Sequence, residues 1–136
     1  MTKRMPLTIA AVFFMVFLVT ALAAGNATTQ ISTAEFHAHM ASTVKSVKMV
    51  HTHLHHVLNC LVGPKDKLFN THFMDPCKGM GNGAINDLQV SPKLRAVLEM
   101  AIKIAVQGEH DTKFSKAHAD AMKVQALLKQ ANVPSL

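Results

Sequence analysis

Residues 32–62 read STAEFHAHMASTVKSVKMVHTHLHHVLNCLV. Apolar residues recur at Phe36, Met40, Val44, Val47, Val50, Leu54, Val57 or Leu58, and Leu61. Spacings of three and four sustained over this length predict one long amphipathic helix. Ser32, Thr33, Ala34 and Glu35 have the form of a capping box, so the helix is expected to open at Ser32. It should stop near Gly63 and Pro64, and Ser42 and Thr43 are where it would kink.

The rest of the chain follows from that first helix. Residues 63–91 contain Gly63, Pro64, Pro76, Gly79, Gly81 and Gly83, and read as a loop with one short helical turn at AINDLQ. Ser91 followed by Pro92 is a strong helix start, with serine as N-cap and proline at the first helical position. Leu94, Val97, Leu98, Ala101, Ile102 and Ala105 form the stripe of this second long helix, and Gly108 is expected to close it as a left-handed cap. A third begins at Asp111, with Phe114, Ala117, Ala121, Val124 and Leu128 inward, and stops before Pro134. The short connection between the last two makes them antiparallel neighbours. The expected fold is all-α: three long helices and a fourth short one, with a stapled loop, in one domain over residues 26–136.

Residues 1–25 are set apart. Lys3 and Arg4 precede the uncharged apolar run TIAAVFFMVFLVTALAA, and small residues follow. That order is a secretory signal peptide, and it places the mature protein in a periplasm or outside the cell. A membrane association is expected only if the signal stays uncleaved as an anchor. Beyond residue 25, twelve Lys and Arg face eight Asp and Glu, and the only aromatic rings besides histidine are four phenylalanines. A weak, dispersed positive charge with so few stacking rings argues against nucleic acid as a partner.

Cys60 and Cys77 are the only cysteines. In an oxidising compartment they are expected to pair, stapling a loop that has no periodic pattern of its own. Closing a loop of this size contributes on the order of 3 kcal/mol. The competing reading makes Cys60 a thiolate ligand, since it follows His56 by four residues. No C-x-x-C-H is present, which excludes covalent haem attachment.

The chemistry lies in the histidines. The chain has nine, and His51, His53, His55 and His56 fall within six positions. At 100° per residue they divide into two pairs. His51 and His55, at i and i+4, border the apolar stripe and can converge on one cation, helped by His118 and Met122 if the last helix packs beside the first. His53 and His56, at i and i+3, face away from that stripe, toward solvent or the loop carrying His72. On an unbroken helix His37 lies about 21 Å before His51, too far to share its ion, and can pair only with another helix.

Imidazole nitrogens suit borderline transition metals, and thioether sulfur adds a lean toward copper. His51, His55, His53, His56, His118, Met122 and His72 are therefore the candidate ligands, with copper or zinc as the ion. The implied protein is exported, histidine-rich and non-catalytic, and buffers, carries or senses a metal. No G-x-S-x-G, H-E-x-x-H or phosphate-loop spacing occurs, and no carboxylate pair suggests acid–base work apart from Glu109 and Asp111 flanking a loop. The rival reading is a metal-free envelope interaction, stress or chaperone-like module whose histidines keep one face wet, with another envelope protein as partner. A protonated histidine cluster would also repel itself, which makes this face a candidate pH sensor. Non-covalent haem between two histidines is the remaining alternative.

Overall fold

The computed structural model describes residues 25–133 except position 90. The expected signal peptide lies outside those residues. All regular structure within them is helical: α1 Ala27–Ala41, α2 Val47–Val62, α3 Ala84–Asp87, α4 Pro92–His110 and α5 Phe114–Ala131. The fold is thus all-α, as the periodicity requires, but with five helices. No described helix is long and apolar enough to cross a membrane.

The difference arises inside residues 32–62, where the spacing predicts one helix. α1 ends at Ala41, where the Thr43 hydroxyl donates to the carbonyls of His39 and Met40 at 3.1 and 3.0 Å. Ser42 Oγ lies 2.8 Å from the His39 carbonyl as well. Hydroxyls that satisfy the last carbonyls of a turn offer the backbone an alternative to continuing it. Ser46 then starts α2 as its N-cap, accepting a hydrogen bond from Met49 N at 3.3 Å. The chain reverses over residues 42–46, and where the spacing predicts a kink there is a full turn.

α1 also starts earlier than the capping-box reading places it. Asn26, not Ser32, is the N-cap, and its Oδ1 accepts from Thr29 N at 3.0 Å. α4 begins as expected, with Ser91 accepting from Leu94 N at 3.2 Å and Pro92 in the first turn. Gly108 does not close it. It has no positive φ and sits inside α4, packed beneath Leu54 and Asp120. There glycine provides close approach between helices rather than a cap. α5 correspondingly starts at Phe114, not Asp111.

The four long helices pack as a square, α1 beside α2 and α5, α4 beside α2 and α5, with α2 touching α5 across the diagonal. Sequence neighbours run antiparallel, giving an up-down-up-down bundle. Its core is Val50, Leu54, Leu58 and Leu61 of α2, Leu98 of α4, and Val124 and Leu128 of α5, all 0–1 % exposed. α1 contributes small residues, Ala34, Ala38 and Ala41, spaced four and three apart and fully buried. They let α1 lie close against α2, which positions the site described below.

Cys60 and Cys77 form a disulfide with Cα atoms 5.1 Å apart. A second staple, which the sequence did not reveal, is the buried Asn59. Its Oδ1 accepts from Asn70 N at 2.9 Å, and its Nδ2 donates to the carbonyls of Asn70 and Met74 at 3.1 and 3.3 Å. The far end of the loop returns to α2 where Gly83 lies directly on the Val62 and Gly63 backbone, with no room for a Cβ on either glycine. α3 is anchored through Asp87, whose carboxylate accepts from Gln30 Nε2 at 2.8 Å and Asn82 N at 2.7 Å. Burial works against the Asp87 carboxylate, but the hydrogen bonds from Gln30 and Asn82 outweigh it and hold its pKa below the usual value.

Candidate metal centre

The reversal at residues 42–46 lays α1 antiparallel on α2, so His37 faces His53 and His56 instead of lying two heptads away from the histidine cluster. His37 Nδ1 is 3.3 Å from His53 Nδ1 and 3.3 Å from His56 Nδ1. One ring nitrogen from each of the three lies within 4.8 Å of the others, and among the described residues no other group of three or more His, Cys, Asp or Glu is gathered so closely. His53 and His56 are buried, at 8 % and 6 % exposure, while His37 is half-buried under the ring of Phe36.

Hydrogen bonding alone does not account for this packing. An imidazole nitrogen carries either one proton or one lone pair, so it completes one well-aligned hydrogen bond. His37 Nδ1 has two neighbouring nitrogens at the same distance, and one contact is left unsatisfied in any choice of tautomers. A cation at the centre uses all three lone pairs at once. With metal–nitrogen bonds of 2.0–2.1 Å, two ligands on a tetrahedron stand about 3.3 Å apart, which is the separation of His37 Nδ1 from each of its two neighbours.

The electrostatics favour the form that binds metal. The pKa of His37 is lowered to about 4, first by burial and then by the charges His56 and His53 would carry. Burial lowers His53 as well. For His56 burial again leads, followed by His53 and His55. All three rings are therefore neutral near pH 7 and present lone pairs without first losing a proton. His53 Nε2, on the opposite side of its ring, is buried without a hydrogen-bond partner among the described residues.

The other candidate ligands are placed elsewhere. His51 Nε2 donates to the Asp111 carbonyl at 2.8 Å and ties α2 to the turn between α4 and α5. His55 does not converge with it: its ring stacks on Phe73 at 3.8 Å between centroids, and its Nδ1 is 2.7 Å from Glu109 Oε2. His118 Nε2 donates to the Ser42 carbonyl at 2.8 Å, on the α1–α5 side of the bundle. Met122 is 55 % exposed, and His72 is exposed in the stapled loop. His51, His55, His118 and Met122 thus do not meet, and Cys60 is committed to its disulfide.

His53 and His56 were recognised as a pair, but their partner was not. The sequence does contain the signal: two hydroxyl residues at 42 and 43, then Ser46 three positions before Met49, is a helix stop followed by a helix start. Those residues, and not the unbroken apolar spacing, place His37 on a neighbouring helix. No family model matches the chain, and no curated protein and no solved structure matches it either.

Proposed function

We propose that this protein binds a transition-metal ion, copper or zinc, through Nδ1 of His37, His53 and His56. The observation that carries the reading is the convergence of three neutral imidazoles at a spacing suited to one ion, around a His37 Nδ1 that cannot complete both of its contacts as hydrogen bonds. The fold does not require the ion, because the bundle has its own apolar core and a disulfide. Ligating histidines in tightly held sites donate their second ring nitrogen to a fixed acceptor, and His53 Nε2 has none among the described residues. A pre-formed site without that support suits reversible loading, hence buffering or carriage rather than a structural or catalytic metal. The basic, apolar and small-residue order of residues 1–25 and the Cys60–Cys77 pair both support a role outside the cytoplasm.

Calorimetric titration of tag-free protein with cupric, cuprous, zinc and nickel ions tests this reading. One ion per chain is expected, with affinity lost by at least a hundredfold in His37→Ala, while His51→Ala and His118→Ala bind as the parent does. Equal binding by parent and His37→Ala would refute the assignment.

A further inference from the structure

The donor set and its surroundings narrow the identity of the ion. We infer that the site takes cuprous copper and that the thioether of Met49 supplies a fourth ligand; this rests on the three-histidine reading above.

Charge is the first argument. The gathered group holds only histidines. The described ion pairs lie at His55, His110 and Lys123, not at the triad, and both cysteines are bonded to each other. A divalent ion would bring two uncompensated charges into a neutral, largely buried cage. The desolvation penalty grows with the square of the charge, so a monovalent ion incurs about a quarter of it. The Glu109 carboxylate, 2.7 and 3.5 Å from His55 and His110, is not part of the gathered group.

Met49 provides the second argument. It precedes His53 by four residues and His56 by seven, and at 100° per residue the three share an arc of about 60° on α2. Side chains on a helix lean toward its N-terminus, so His53 leans back over the turn that carries Met49, and His56 over the turn that carries His53. The core-building face of α2 is formed by Val50, Leu54, Val57, Leu58 and Leu61, each at most 1 % exposed. Met49, at 41 % exposed, has no place in that core, and its long unbranched thioether side chain starts one helical turn from His53. Three borderline imidazoles with one soft thioether make an uncharged set that favours cuprous copper over zinc.

The test uses the full chain with its disulfide intact. Cuprous ion maintained by ascorbate is titrated against a chromophoric chelator, for the parent, Met49→Leu and His37→Ala, and the copper-loaded forms are examined by X-ray absorption. Met49→Leu preserves bulk and helix propensity. It should weaken cuprous affinity about tenfold, leave zinc affinity unchanged, and remove a sulfur scatterer seen in the parent copper environment. Unchanged cuprous affinity in Met49→Leu, or displacement of cuprous ion by equimolar zinc, overturns the inference. If His37→Ala still loses binding in that case, the triad stands without the thioether. If His37→Ala also binds normally, the three-histidine site falls as well.

Discussion

Acidifying the metal-free protein should loosen it through His37. The imidazole titrates near 6.5 when unfolded and at about 4 in the fold, lowered first by burial and then by His56 and His53. Between those values the unfolded chain binds a proton that the native state refuses, so stability rises with pH across the window and falls as pH drops from about 6.5 to 4. A shift of that size corresponds to about 3 kcal/mol if fully expressed. His37 is only half-buried, and solvent screening brings its own share to roughly 1–2 kcal/mol. His53 and His56 are lowered in the same direction and add to it. The assay is urea unfolding followed by helical circular dichroism at pH 7.5, 6, 5 and 4, for the parent and His37→Gln. Carboxylate titration is common to both and cancels in the difference. The stability advantage of His37→Gln should grow as the pH falls and level off near pH 4. A constant difference between the two proteins from pH 7.5 to 4 would refute the reasoning.

Three further outcomes follow from the fold. Asn59→Ala removes a buried side chain that both accepts from and donates to the stapled loop, and should cost about 2–3 kcal/mol in urea unfolding, comparable with loss of the disulfide. Gly108→Ala places a methyl group 2.8 Å from Leu54 Cδ1 and 3.1 Å from Asp120 Cβ, so overpacking should outweigh the gain in helix propensity and lower thermal stability by about 1 kcal/mol. Ser46→Ala removes the N-cap of α2 and should cost about 1 kcal/mol by the same measurement, because Met49 N loses its acceptor.

The sequence revealed the class of the fold and several of its joints. Ser91 with Pro92 announced α4 because capping is a local event, and the two cysteines announced their bond because no other partner exists. Gly108 misled, since a glycine in a helix is equally a cap and a point of close approach, and only the position of Leu54 separates the two. The continuous apolar spacing from Phe36 to Leu61 misled more deeply. Its α1 half is not an inward stripe: Phe36 is 58 % exposed, and α1 packs through Ala34, Ala38 and Ala41 before the chain turns at residues 42–46. The same error hid the site. His53 and His56 were legible as a pair, but His37 becomes their neighbour only through the reversal, and pairings between helices leave no trace in spacing along one helix. His51 and His118 attracted attention for their intervals, whereas the structure gives each a backbone carbonyl to hold.

Anomalous diffraction from crystals of the metal-loaded protein tests the central claim most directly. A single strong peak is expected between α1 and α2, about 2.0–2.1 Å from Nδ1 of His37, His53 and His56 alike. A peak lodged instead at His55, Glu109 and His110, or none after loading at saturating metal, would contradict it.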